Sequence, residues 1–276
     1  EAGAAGGAAE AEPRVLRRQG RFRLLFKPAG WTVSVGNEED DGAWAAHLAA
    51  SQGAQGALQD WLAHEFGARH PIARDGGTAC GLLHRLDKGT SGALLWAEDY
   101  RGYHAARLQF SLRRVLKSYV CLCHGHVPPA TPWSMEAPLQ EWGEGHARSI
   151  CSPWGRPAHT EVLSVAHLLA PNGAKVSLVV LRIHTGRRHQ IRAHLSEEGH
   201  PILGDEAYGG QSPAWCPRIF LHAARLALEV EGGLLGTEVP LPQDLRGALS
   251  GLRPAGGRAR AALPQRRAGP APGGPA

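Results

Sequence analysis

The sequence predicts an α+β fold: a mixed, mainly antiparallel central sheet flanked by helices and loops. Three observations point there. Strand-like apolar runs outnumber helical ones, and the two types do not alternate regularly as a doubly wound fold would require. A hydrophobic content of 43% over 276 residues is enough for one large domain, or two small ones, with a sizeable core.

Taken in order, each element has its own signal. RFRLLFKPAGWTVSV (21–35) predicts two short strands around a Pro-Ala-Gly turn. In ALQDWLAHEF (57–66), Leu58, Trp61, Leu62 and Phe66 recur on one helical face. GALLWAE (92–98) reads as a buried strand, and DYRGYHAARLQF (99–110) as a helix with Asp99 at its N-cap. Strands follow at KSYVCLCHG (117–125), HTEVLSVAHLL (159–169) and KVSLVVLRIHTG (175–186). RRHQIRAHLSEEG (187–199) predicts a helix stopped by Gly199, and RIFLHAARLALEV (218–230) a last strand closing the globular part.

The ends differ in composition. Residues 1–20 are mostly Ala, Gly and Glu with little to bury, and are expected to be disordered. The domain is expected over 21–245, with 246–276 a solvated low-complexity tail of Arg, Gly, Pro and Ala. EEDDGAW (38–44) reads as an acidic loop, and no internal repeat is present.

Bulk charge invites a nucleic-acid reading, then weakens it. The formal charge is +5 and the pI about 9.2. Beyond Leu245 stand six arginines and no acid, and subtracting them leaves the body at −1. Affinity for RNA must therefore come from local patches. One runs from Arg85 to Lys117, with seven basic residues against Asp87, Glu98 and Asp99; the other, Arg182 to Arg192, has four arginines and no acid. Five scattered cysteines make no disulfide framework and suit a reducing, intracellular setting, in the cytoplasm or an organelle. No apolar run is long enough to span a bilayer, so the chain reads as soluble, without a membrane partner, and as a monomer. It begins at Glu1 rather than Met, so upstream sequence is expected.

Several chemistries fit poorly. Cys121, Cys123, His124 and His126, or His184, His189 and His194, match no usual zinc spacing, so no metal is expected. Glycoside hydrolysis needs paired carboxylates. Asp87 could be one, and Asp205 or Glu206 the other, yet the surroundings of Asp87 are cationic. No Gly-x-Ser-x-Gly elbow supports a serine triad.

The loop GLLHRLDKGTSGALLWAED (81–99) places one acid, Asp87, among His84, Arg85, Lys88, Thr90 and Ser91, between apolar runs. Thr90 and Ser91 can fix the turn, and Gly92 permits it. Such a rigid mount suits a functional carboxylate. Spacing alone leaves this open against a turn-capping Asp.

HRLDKGTSG resembles the signature loop of the RluA-type pseudouridine synthases. LLFKPAGWTV (24–33), RRVLKSYVCLCHG (113–125), HTGRRHQIRAHLSEEGHPILGDEAYGG (184–210) and FLHAARLAL (220–228) are similar to further motifs of that family, in the family's order. The resemblance implies a pseudouridine-synthase-like catalytic domain that isomerises uridine in a structured tRNA or rRNA, without cofactor. Asp87 would be the nucleophile, Tyr119 would stack on the target uracil, and Arg192 would pair with Asp87. The physical chemistry agrees, since a guanidinium keeps a carboxylate ionised and an aromatic ring replaces the stacking a flipped base loses. His84, Arg85, Lys88, Thr90, Ser91, Lys117, Arg187, Arg188, His189 and Gln190 would contact substrate. On one helix, Arg188 and Arg192 would share a face and Ile191 and Leu195 the core face.

Two departures stand out. Gly89 occupies a position where the family commonly has an acid, and glycine loosens a turn. No separate N-terminal S4-like domain is evident, so substrate choice would rest on the catalytic domain, upstream sequence or a partner. The rival reading is an RNA-binding protein of the same fold without activity.

Overall fold

The computed structural model describes residues 12–33, 56–128, 133–143 and 148–255. The acidic loop EEDDGAW, residues 1–11 and the tail from 256 lie outside them. The architecture is α+β, as expected. Among the described residues one ten-stranded sheet forms the body, and a two-stranded ribbon stands apart from it.

The first strands are β1 (Arg14–Gln19) and β2 (Phe22–Lys27), paired antiparallel. Two expectations are corrected here. Ordered structure begins at Arg14, inside the segment expected to be disordered, because β1 is tied to the edge of β2. The turn of this pair is Gly20–Arg21, where Gly20 takes φ +55°. Pro28-Ala29-Gly30 instead follows β2 and leads to a single bridge between Thr32 and Ala57.

Helix α1 (Leu58–Phe66) buries Leu58, Leu62 and Phe66 as its periodicity predicts. Every residue of β3 (Ser91–Ala97) is buried, and α2 (Tyr100–Ser111) starts where Asp99 accepts the Gly102 N–H. There follow β4 (Leu116–His124), β5 (Trp133–Met135), the ribbon β6 (Leu139–Trp142) with β7 (Arg148–Cys151), then β8 (Thr160–Leu169) and β9 (Lys175–Ile183).

Helix α3 is Gln190–Glu197, where the sequence predicts a helix within 187–199. His189 sits left-handed at φ 52°, so the chain turns sharply before the helix begins. Arg188 therefore lies in the turn and does not share a helical face with Arg192. Ile191 and Leu195 do face the core.

The last expected strand, β10 (Leu221–Val230), does not close the fold. It is followed by β11 (Gly233–Glu238), α4 (Gln243–Ser250) and β12 (Arg253–Pro254). Leu245 is fully buried, so the boundary expected at 245 falls inside a packed helix.

The sheet order is β1-β2-β3-β10-β4-β9-β8-β12, with β11 on β10 and β5 on β8. All neighbours are antiparallel except β3 and β10. That parallel contact needs Gly92: it holds φ +130°, and a Cβ there would stand 2.3 Å from the Ala223 carbonyl oxygen. The loop carrying Asp87 is thereby brought beside β10, whose other edge holds β4.

Candidate active site

One cleft collects the acid, the tyrosine and all four candidate arginines. Its lining includes Arg85, Asp87, Thr90, Tyr119, Arg187, Arg188, His189, Gln190 and Arg192. Three elements converge there. The Asp87 turn closes through the Thr90 N–H to the Asp87 carbonyl at 3.0 Å. Tyr119 comes from β4, in register with Ala223 of β10 and Leu181 of β9. The 184–189 turn and α3 supply the rest.

Arg192 joins two carboxylates. Its Nη1 donates to Asp87 Oδ2 at 3.1 Å, while Nε and Nη2 donate to the two oxygens of Asp205, each at 2.8 Å. Such a fork fixes the guanidinium plane. Burial works against its charge, but Asp205 and Asp87 outweigh burial and raise its pKa above the ordinary value. The guanidinium also lies over the Tyr208 ring, 4.8 Å from its centre. Asp205 is buried and spends both oxygens on Arg192, so it makes a poor second acid for hydrolysis.

Tyr119 is buried, and burial followed by the Asp87 charge pushes its phenol well above the ordinary pKa. His189 faces Asp87 from the other side, Nε2 to Oδ1 3.8 Å. Its Nδ1 lies 3.1 Å from the Tyr208 hydroxyl. That hydroxyl already donates to the Ser149 carbonyl and accepts the Ser149 N–H, so Nδ1 must be the donor and Nε2 carries the lone pair. Burial lowers His189 to about 4, with Asp87 opposing and three arginines adding to the fall. It is neutral at pH 7.

Two buried polar atoms among the described residues lack any partner: Thr90 Oγ1 and Arg188 Nε. Both residues line this cleft. A buried donor or acceptor without a partner costs about 1–3 kcal/mol, so its presence points to a group that arrives from outside.

Other residues expected to touch substrate make their bonds inside the protein. His84 Nε2 accepts the Leu95 N–H at 3.0 Å, and burial with Lys117 lowers it to about 3. Ser91 Oγ meets His222 Nδ1 at 2.9 Å. Lys117 reaches the Thr185 carbonyl at 3.5 Å, and burial lowers it to about 8. None of these three lines the cleft, nor does Lys88, which is exposed. Gln190 lines it, yet its amide is wholly engaged. Oε1 accepts from Thr185 Oγ1 and the Arg187 N–H, while Nε2 donates to the His159 carbonyl and Thr160 Oγ1, all within 3.0 Å. Arg187 lines the cleft while its Nε holds the Pro157 carbonyl at 3.1 Å.

Three contributors were not singled out from sequence. Asp205 appeared only as a candidate acid, and Tyr208 not at all. Lys27 is fully buried beneath the Asp87 loop, with Nζ donating to the Pro28, Trp31 and Lys88 carbonyls at 2.9, 2.8 and 3.4 Å. Burial lowers it to about 7, against the pull of Asp87. A lone Lys ending the apolar run LLF was the one available signal.

Comparison with known proteins bears on both fold and site. The RNA pseudouridylate synthase family model matches residues 22–197. The dual-specificity RNA pseudouridine synthase RluA of Vibrio vulnificus (strain CMCP6) is 35% identical over 148 residues, 53% of this chain and 59% of that protein. Its namesake in Escherichia coli (strain K12) is 37% identical over 147 residues, 53% of this chain and 65% of that one. The chain thus spans less than two thirds of these curated relatives. Among solved structures, human RNA Pseudouridylate Synthase Domain Containing 1 is 26% identical, with TM-score 0.64 over 89% of each chain. The matched span runs from the start of β2 to the end of α3 and takes in nearly the whole cleft wall. On that ground the chain belongs to the RNA pseudouridylate synthase family, in its RluA-type branch.

Proposed function

We propose that this chain isomerises uridine to pseudouridine in a structured RNA, a tRNA or an rRNA, with Asp87 as nucleophile and no cofactor. The observation that carries the reading is the Asp87–Arg192 contact at 3.1 Å, in a cleft shared with Tyr119. The ion pair holds the carboxylate in one place beside a fixed guanidinium. In the reaction the C1′–N1 bond breaks, uracil turns, and C1′–C5 forms. The proton leaves C5 and N1 gains one, so atoms and charge balance with no redox step. The carboxylate serves either by attack at C1′ or by promoting a glycal-like intermediate. Tyr119, its proton held tightly at neutral pH, offers a stacking surface. Thr90 Oγ1 and Arg188 Nε are free to bond the nucleotide and its phosphate, and Arg85 and Arg187 add positive charge beside them. Lys88 is exposed beside the same loop and available to a phosphate. A reducing intracellular compartment and a monomer fit five unpaired thiols and a self-contained cleft.

The test is tritium release from [5-³H]uridine-labelled total RNA by the wild type and Asp87→Ala. Release by the wild type alone supports the reading. Bound RNA without release from either protein would overturn it in favour of the binding-only rival.

A further inference from the structure

The loop that carries Asp87 is held on its far side from beyond the family match. Arg218, just before β10, donates Nη1 to the Gly89 carbonyl at 3.1 Å and Nη2 to Ser91 Oγ at 2.9 Å. These contacts flank Thr90, whose N–H closes the Asp87 turn. Arg218 is oriented in turn by Asp244, Nε to Oδ2 2.6 Å and Nη2 to Oδ1 3.3 Å. Asp244 lies in the first turn of α4 and Leu245 beside it is fully buried, which seats the carboxylate firmly. Gly89 has no side chain with which to hold this arginine. A Cβ there would stand 2.7 Å from Ile219 Cγ2, so a side chain would have to displace Ile219. The loop is gripped instead at the Gly89 carbonyl and Ser91 Oγ, by a guanidinium whose carboxylate partner, Asp244, lies 155 residues beyond Gly89 in α4.

We propose that Asp244 is a positioning residue. By orienting Arg218 it fixes the Gly89–Ser91 half of the Asp87 loop, and so couples the C-terminal helix to the reaction. Asp244 does not line the cleft, and its side chain is 39% exposed. Its removal therefore alters neither the substrate contacts nor the charge beside Asp87 directly. The kinetic part of the proposal rests on the isomerase reading; the structural part does not.

The experiment compares wild type with Asp244→Asn and Asp244→Glu in the full chain by amide hydrogen exchange, melting and tritium release. In Asp244→Asn, exchange at the Thr90 and Ser91 amides should rise about tenfold, the change that losing a charge-assisted hydrogen bond brings. kcat should fall roughly ten- to hundredfold, as expected for a misplaced catalytic group, with KM within about twofold. Asp244→Glu should recover most of both. Unchanged exchange at residues 88–92 in a folded Asp244→Asn overturns the proposal, and so does a kcat loss that Glu leaves unrepaired. Wild-type chain that releases no tritium sinks the isomerase reading, while exchange still decides the Asp244 contact by itself.

Discussion

Asp87 and Thr90 ask different things of the same turn. In the proposed reaction Asp87 is the nucleophile, while phosphate contacts carry most RNA affinity. Asp87→Asn should therefore reduce tritium release below detection, with RNA affinity changing by no more than about threefold in filter binding. A parallel loss of binding would count against the assignment. Thr90 Oγ1 is buried with no partner, and that arrangement costs stability in the free protein. Thr90→Val keeps the shape and deletes the hydroxyl. Its melting temperature should stay level or rise, while kcat/KM falls about tenfold, which is one hydrogen bond to substrate. A variant that melts earlier with full activity would mean the hydroxyl serves the fold and not the nucleotide.

The element that aims the arginines is the 184–190 turn. Gln190 braces it with four hydrogen bonds, and the αL residue His189 redirects the chain into α3. Cutting that brace leaves Thr185, Thr160 and the His159 carbonyl short of partners. Gln190→Ala should lower stability by about 2–4 kcal/mol in urea titration and cost activity as well, because Arg187 and Arg188 lose their support. A loss below about 0.5 kcal/mol would show that water replaces the brace.

Protonation gives the whole molecule an acid limit. His84 is lowered to about 3, and His189 and His222 to about 4, each mainly by burial. The unfolded chain takes these protons near pH 6.5 and the folded one only far below it. Stability from the three groups is thus complete above about pH 6.5 and is lost as pH falls toward 4, by up to about 4 kcal/mol per unit near pH 5. His222 shows why the folded state refuses the proton. Its Nε2 donates to the Val239 carbonyl at 3.0 Å, so Nδ1 must accept from Ser91. Urea midpoints at pH 7, 6 and 5 should drop steeply, and His222→Gln should flatten the slope by about one third. A flat wild-type profile over that range would contradict the neutral assignment.

Local patterns made much of this protein legible. Apolar periodicity located α1, and apolar runs located β3, β8 and β9, because buried segments carry their burial in local composition. Asp99 marked a helix start through its own side chain. The ordered motifs singled out Asp87, Tyr119 and Arg192, and the fold brings all three to one cleft. What escaped was set by contacts outside each segment. β1, β11 and β12 are edge or hairpin strands that pairing stabilises more than their own residues do. α4 straddles the boundary expected at 245, and only the packing of Leu245 and Ala248 shows that the helix belongs to the core. Gln190, Ser91, Lys117 and His84 look like polar residues waiting for a ligand, yet each bonds within the fold. The sequence alone therefore determined the class of fold, the family and the acid at its centre. Only the tertiary structure decided which polar groups are spent internally and which remain free, since a hydrogen bond is satisfied by whatever lies within 3 Å, however far away along the chain.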